Sequence, residues 1–138
     1  MRQRLLGGLG AALLALAGAA HAATVRVEPG QDLAAAVRAA APGDTVEVAR
    51  GLYRANLLID KPMTLRGVDR PTISGGNQGD TIRVTAPDVT IEGLIVRDSG
   101  DHQGEQNAGI YLYPGAHRAV VQHCDLTYNL FGLWIEKV

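Results

Sequence analysis

Side chains able to bind a soft metal ion are few and scattered in this sequence. Apart from carboxylates, residues 23–138 offer His102, His117, His123, Cys124 and Met63. Ligands of one transition-metal ion converge on it with bonds of about 2 Å. His117 and His123, however, are six positions apart, which is up to about 20 Å of extended chain. His102, His117, His123 and Cys124 are therefore weak candidates, and their spacing does not predict one shared metal site.

The nearest group of carboxylates consists of Asp98, Asp101 and Glu105. Two carboxylates about 5 to 10 Å apart can hydrolyse a glycosidic bond, and a base beside a charge-neutralising cation can drive an elimination. The group borders the polar segment Asp101–Gln106, and a solvated surface insert is the favoured interpretation. These three residues are catalytic candidates only if the chain is an enzyme.

The sequence around these side chains contains a repeating pattern of apolar and turn-forming residues. From Thr45 onward, short segments with two alternating apolar residues, typical of strands, are each followed by glycine, aspartate or asparagine. The segments lack the two-residue Asn-Gly turns of hairpins. They stack instead at a longer period: Ile82-x-Val84, Ile110-x-Leu112 and Leu133-x-Ile135 are 28 and 23 residues apart, and Ile91, Val96 and Ser99 match Val121, Leu126 and Asn129 at an offset of 30.

This repeat predicts an all-β fold, a right-handed parallel β-helix of the pectin-lyase-like type with coils of about 23 residues. Each coil would contain three short strands that pair with the equivalent strands of the next coil. The segment Asp101–Gln106 has no counterpart in the next coil and accounts for the longer spacing. A helix around Leu33–Ala40, with Asp32 at its N-terminus and Pro42-Gly43 after it, is predicted to cap the first coil. A β-sandwich is the competing fold, but it does not explain the repeat.

The stacking also assigns the candidate metal ligands to different environments. Cys124 and Met63 align with apolar core positions, which predicts buried side chains for both. His102 lies in the polar insert, whereas His117 and His123 lie in two different turns. Each histidine is therefore expected at a different corner of the coil.

Residues between the inward positions face the outside of the predicted β-helix. On the sheet that contains Ile82, Ile110 and Leu133, the outward side chains form the predicted binding surface. Aromatic side chains on a flat sheet suit either sugar rings or a protein partner, and the sequence does not distinguish the two. The residues of this surface are Arg83, Tyr111, Tyr113, Trp134 and Glu136.

Residues 1–22 have the layout of a secretory signal peptide, with Arg2 and Arg4, an apolar stretch and the small-x-small end Ala20-His21-Ala22. Cleavage after Ala22 predicts a β-helix domain over residues 23–138 in a bacterial periplasm, where a lone cysteine makes no internal disulfide. Loss of these two of the thirteen basic residues leaves eleven against fourteen acidic residues, a net charge of −3. This charge argues against a nucleic-acid partner, and no later segment is apolar enough to span a membrane.

Several blocks of the sequence occur in the same order in a known family. They are Gly43–Val46, Gly51–Tyr53, Leu58–Gly67 and Ala86–Leu94, followed by Asn107–Ile110 and Asn129–Leu133. On these blocks, residues 25–138 resemble the NosD family of periplasmic β-helix proteins. The Gly-Asp-Thr and Ile-Asp-Lys-Pro-x-Thr-Leu parts also recur in β-helix proteins that bind or hydrolyse carbohydrates, so they indicate the fold more than the function.

The resemblance implies an accessory protein that works with an ABC transporter to mature the copper clusters of nitrous-oxide reductase in denitrification. It implies a binding or scaffold role rather than catalysis, with copper as the metal that the pathway handles. The ligand spacing in this segment does not support a copper site. The alternative is a carbohydrate-active enzyme, such as a polysaccharide lyase, epimerase or hydrolase using Asp98, Asp101 and Glu105, or a sugar-binding module.

The last residues, Phe131–Val138, begin a coil whose remaining strands are not in the sequence. The domain is therefore expected to be C-terminally incomplete. An open coil edge exposes unpaired backbone and apolar side chains, which β-helices normally cover. We expect this edge to make the isolated segment self-associate.

Overall fold

The computed structural model describes residues 21–137, which form short parallel strands wound into coils, with one α-helix near the start. The predicted signal peptide lies outside the described residues apart from its last two positions. Among the described residues, no helix combines the length and the apolar character needed to cross a membrane. The predicted all-β fold of stacked parallel coils is confirmed.

The helix α1 (Leu33–Ala39) closes the start of the first coil, where the sequence predicts it. The carboxylate of Asp32 accepts a hydrogen bond from the backbone N–H of Ala35 at 2.9 Å, which satisfies one of the free donors of the first turn. At the other end, the ammonium group of Lys61 donates to two carbonyls of the last turn. Both ends of the helix are therefore capped, and its apolar face is buried against the core.

The strands follow one another in groups of three. Strand β1 (Thr24–Val27) precedes α1. Coil 1 contains β2 (Thr45–Val48), β3 (Leu52–Arg54) and β4 (Leu57–Ile59); coil 2 contains β5 (Thr64–Gly67), β6 (Thr72–Ser74) and β7 (Ile82–Val84); coil 3 contains β8 (Thr90–Glu92), β9 (Ile95–Arg97) and β10 (Ala108–Leu112); coil 4 contains β11 (Val120–Gln122), β12 (Asp125–Thr127) and β13 (Phe131–Ile135).

Equivalent strands of successive coils pair in parallel and build three sheets. Sheet I has the order β1-β2-β5-β8-β11, sheet II has β3-β6-β9-β12 and sheet III has β4-β7-β10-β13. Ile110 pairs with Ile82 on one side and with Leu133 on the other. The offset of 30 residues is also confirmed, since Val121 pairs with Ile91.

The coils differ in length more than the period of about 23 residues suggests. The paired residues Thr45 and Thr64 are 19 positions apart, whereas Thr90 and Val120 are 30 positions apart. The turns absorb this difference, and the largest one lies between β9 and β10, where the polar insert forms a 3-10 turn (Gln103–Glu105). Turn length therefore varies while the strand registers are kept.

The inward side chains form continuous apolar ladders. Leu65 and Ile91 pair on sheet I and are 0% and 1% exposed. Burial of one such side chain contributes about 2 kcal/mol. Met63 is also buried in this core, as the stacking predicts, whereas Cys124 is only partly buried and packs against it.

Asp44 connects the start of the domain to the segment after α1. Its carboxylate accepts hydrogen bonds from the backbone N–H groups of Ala23 at 2.8 Å and Ala41 at 2.9 Å. These two bonds lower the pKa of Asp44 from its ordinary value of 3.8. The folded state therefore binds this proton less tightly than the unfolded state does, so the stabilisation is complete above the ordinary pKa and is lost as the pH falls through the lowered one.

We expect Asp44→Asn to flatten the loss of stability between about pH 5 and about pH 2. The measurement is the urea midpoint of unfolding as a function of pH, followed by circular dichroism. Asp60→Asn is the control because the side chain of Asp60 is 59% exposed. An acid dependence that is the same in Asp44→Asn and in the unchanged protein would contradict the assignment.

Coil 4 leaves its apolar ladder uncovered. Leu133 and Ile135 are 39% and 54% exposed, whereas their partners one coil earlier, Ile110 and Leu112, are 0% and 5% exposed. Within residues 21–137, strands β11, β12 and β13 each pair on one side alone. Such an edge is a template for pairing with another chain.

Residues 23–138 produced by themselves are expected to self-associate through this edge. Sedimentation velocity should detect dimers or larger species whose proportion rises with concentration. Ile135→Lys should reduce this association because a charge opposes edge pairing. Leu52→Lys is the control, since Leu52 is 56% exposed on coil 1, away from the edge. A monomeric fragment that melts cooperatively would contradict the prediction.

Candidate functional site

The outer surface of sheet III carries the residues of the predicted binding surface. Arg83, Tyr111 and Trp134 occupy paired positions on β7, β10 and β13. Their side chains face away from the core because alternate residues of a strand point to opposite sides. Tyr113 and Glu136 take the next outward positions after Tyr111 and Trp134. These five residues form what we call the aromatic face.

Tyr111 lies at the centre of the aromatic face but is 3% exposed. Its ring centroid is 4.0 Å from that of Tyr113, and its hydroxyl donates to Oε1 of Glu136 at 2.7 Å. The hydrogen bond to Glu136, together with burial, raises the pKa of Tyr111 to about 12. The structure differs here from the predicted binding surface: Tyr111 points outward, but its neighbours cover it. It therefore positions Tyr113 and Glu136 and offers little surface to a ligand.

Arg83 is held from two sides. Its Nε donates to Oδ2 of Asp80 at 3.1 Å, and its guanidinium carbon lies 5.1 Å from the centre of the Tyr113 ring, within the range of a cation–π interaction. The side chain of Asp80 is 1% exposed. Its other carboxylate oxygen accepts a hydrogen bond from the N–H of Ala108 at 2.9 Å.

Asp80 was not among the residues singled out from the sequence. An acidic residue three positions before Arg83 is the one signal that the sequence offers for it. Its burial depends on Ala108, which lies 28 positions further along the chain. A contact over this distance in sequence depends on the stacking of neighbouring coils.

The accessible part of the aromatic face consists of Arg83, Tyr113, Trp134 and Glu136. The side chain of Arg83 is 46% exposed, and both aromatic residues are half-buried. Trp134 packs against Phe131 with ring centroids 4.7 Å apart. Burial raises the pKa of Tyr113. A cation and two aromatic rings on one face of a sheet can bind sugar rings or protein side chains.

The three candidate carboxylates have different surroundings. Asp98 accepts hydrogen bonds from Oγ of Ser74 at 2.7 Å and Nε of Arg97 at 3.0 Å, both on sheet II. Asp101 and Glu105 are exposed on the polar insert. Glu105 belongs to the surroundings of the aromatic face, because its charge is one of the minor contributions to the raised pKa of Tyr113, after burial. Asp98 is thus held by side chains of sheet II, whereas Asp101 and Glu105 lie exposed on the insert.

The candidate metal ligands are also distributed over separate turns. His102 precedes the 3-10 turn, and its backbone N–H donates to Oδ1 of Asn107 at 3.0 Å. His117 lies in the turn after β10, where its carbonyl accepts from the N–H of Asp88 at 2.9 Å. His123 lies in the turn after β11 with a left-handed φ of 55°.

Cys124 follows His123 and contacts the core. Burial raises the pKa of its thiol, which disfavours the thiolate form that binds metals. Within residues 21–137, no three side chains of His, Cys, Asp or Glu are grouped so that they could hold a metal ion. The described residues thus contain no cluster of three such ligands for the copper that the NosD resemblance implies.

Comparison with known proteins gives two related matches. The chain is 34% identical over 114 residues to a protein of Pseudomonas aeruginosa named probable ABC transporter binding protein NosD, which covers 83% of this chain and 26% of that protein. It is 27% identical over 86 residues to a protein of the same name from Stutzerimonas stutzeri, covering 62% of this chain and 20% of that protein. The chain thus spans about a quarter or less of the length of these relatives.

No family model and no solved structure matches the chain. The relatives are named as binding proteins and not as enzymes. The matched region includes most of the described strands, and these strands form the stacked parallel coils seen in sheets I to III. Sequence and architecture together fit a NosD-family parallel β-helix over the matched part of this chain.

Proposed function

We propose that the protein acts in the periplasm as a binding or scaffold component, together with an ABC transporter, in the assembly of the copper clusters of nitrous-oxide reductase. The observation that carries the proposal is the 34% identity over 83% of the chain to a protein named probable ABC transporter binding protein NosD. Copper is the cargo of this process. This chain contributes a surface to which the partner proteins bind.

The aromatic face supports a binding role. Arg83, Tyr113 and Trp134 are accessible on a flat sheet, and Tyr111 and Asp80 beneath them are satisfied by hydrogen bonds. A rigid surface loses little conformational freedom when a partner binds, which favours affinity. Aromatic and arginine side chains are the residue types that most often dominate protein interfaces.

Deletion of the full-length gene in its own organism tests the proposal. We expect the reductase to be purified with little copper and low activity, and the full-length gene supplied in trans to restore both. Copper per reductase, measured by elemental analysis, is the readout. Active, copper-replete reductase in the deletion strain would overturn the proposed function.

Transporter association is tested separately by crosslinking the full-length protein in cells and isolating it. We expect transporter subunits among the crosslinked products, and fewer of them with Trp134→Ala, because Trp134 is an accessible ring of the aromatic face. Thr127→Ala, on the outer side of sheet II, is the control. Crosslinks that do not include the transporter would argue against this partner.

A sugar-binding module is the second candidate. It is favoured by the half-buried rings of Tyr113 and Trp134, which lie on the same face as Arg83. Glycan binding by the full-length protein, lost in Trp134→Ala, would support this function. Turnover of an anionic polysaccharide, lost in Asp98→Asn or Glu105→Gln, would instead identify the enzyme. If the protein neither binds nor cleaves glycans, both carbohydrate functions are wrong.

A further inference from the structure

A groove runs beside the first strand of sheet III, next to the aromatic face. It consists of three adjoining clefts of about 350, 320 and 260 Å³, and Asn56 lines all three. The first cleft reaches Arg83, the second lies between α1 and β4, and the third extends over sheet II to Arg54. We call these joined clefts the basic groove.

The charge of the groove is opposite to that of the chain. Four cations line it, namely Arg38, Arg54, Lys61 and Arg83, against two carboxylates, Asp60 and Asp80. Asp80 is paired with Arg83, and Lys61 caps α1 and lies 4.0 Å from Asp60. The excess of two positive charges is therefore carried by Arg38 and Arg54. The chain after residue 22 has fourteen acidic residues against eleven basic ones, so an excess of cations in one groove is a local feature. It favours an anionic ligand.

The centre of the groove is apolar and lies at the edge of a sheet. Leu58, on β4, is 47% exposed and lines both the first and the second cleft. Leu57 donates its N–H to Thr81, and Ile59 accepts from the N–H of Thr85. Because bonded residues alternate in a parallel ladder, the peptide groups of Leu58 face away from β7, towards the cleft beside α1. An extended chain could therefore meet backbone, an apolar side chain and cations together.

We infer that the basic groove binds an extended acidic segment of a protein partner. Acidic side chains would pair with Arg38 at one end and with Arg83 and Arg54 at the other, and an apolar side chain would pack on Leu58. The side chains that line the three clefts include no aromatic ring, and a ring is the usual platform for a sugar. The inference rests on the proposed function in that the partner is a protein.

The test uses the full-length secreted protein and a fluorescein-labelled peptide with a central leucine flanked by glutamates. We expect fluorescence anisotropy to detect binding that weakens as salt increases. Arg38→Glu and Leu58→Ser should each weaken it about tenfold or more. Arg50→Glu is the matched control, because Arg50 is exposed and lies outside the three clefts, and it should change binding by about twofold at most.

Equal weakening by Arg38→Glu and Arg50→Glu would overturn the inference, because the attraction would then be general and not located in the groove. Equal binding of the same peptide with lysines in place of glutamates would overturn it as well. Polygalacturonate that binds with the same dependence on Arg38, while the peptide does not bind, would reassign the groove to a glycan. If the glutamate peptide binds as expected but gene deletion leaves the reductase copper-replete, the groove is supported and the proposed function fails.

Discussion

Replacing Asp80 with alanine is expected to lower the free energy of unfolding by about 3 kcal/mol. The carboxylate is 1% exposed and accepts hydrogen bonds from Arg83 and from the N–H of Ala108. Its removal leaves the N–H of Ala108 buried without a partner, and it frees the guanidinium group. Urea unfolding of the full-length protein, followed by circular dichroism, measures the change.

Asp60→Ala is the matched control for this substitution. Asp60 also lines the basic groove, but its side chain is 59% exposed, so its loss should cost less than about 0.5 kcal/mol. Peptide binding gives a second readout. Asp80→Ala removes a negative charge from the groove, but it should still weaken binding of the glutamate peptide, because Arg83 is no longer held in place. Equal stability of Asp80→Ala and Asp60→Ala would show that the hydrogen bonds of the Asp80 carboxylate to Arg83 and Ala108 do not stabilise the fold.

Replacing Gly67 with alanine is expected to destabilise the protein by about 3 kcal/mol. Gly67 lies at the end of β5, where the next coil passes directly over it. An added methyl group would collide with the carbonyl oxygen of Gly93 and lie 2.7 Å from Cδ of Pro71. The backbone of one coil would have to move away from the next, and the sheet I pairing between β5 and β8 would be strained.

Gly132→Ala is the control for backbone flexibility. Gly132 lies in β13, and a methyl group there would meet nothing closer than Cβ of Leu126 at 3.4 Å, an ordinary contact. We expect this substitution to change the free energy of unfolding by less than about 1 kcal/mol. If Gly67→Ala is no worse than Gly132→Ala, the close approach of coils at Gly67 does not constrain the fold.

The aromatic face and the basic groove share Arg83. A partner that filled the groove would reach Tyr113 through the same guanidinium group, which already contacts that ring. The two surfaces could therefore act as one binding region that extends over the outer surface of sheet III from α1 to β13. Trp134→Ala and Arg38→Glu lie at opposite ends of this region, so their combined effect on partner binding would show whether one partner covers both.

The stacking of the coils could be derived from the sequence because it depends on a pattern that repeats. Alternation of apolar residues determines which side of a strand faces the core, and equal positions in successive coils must pair if every ladder is to stay apolar. This is why the pairing of Ile82, Ile110 and Leu133 and the burial of Met63 were predicted correctly. The cap of α1 by Asp32 is equally local, since it involves a residue three positions away.

What only the tertiary structure decided are contacts that depend on the lengths of the turns. The turns bring Asp80 against Ala108, and the stacking of the coils covers Tyr111 with Glu136. The turns also join clefts lined by residues of α1, β4 and the turn before β7 into one basic groove. By itself the sequence determined the ladder inside the β-helix, because an apolar pattern specifies which side is buried. The turns determined the surface outside it, because outward side chains meet according to how far each turn carries the chain.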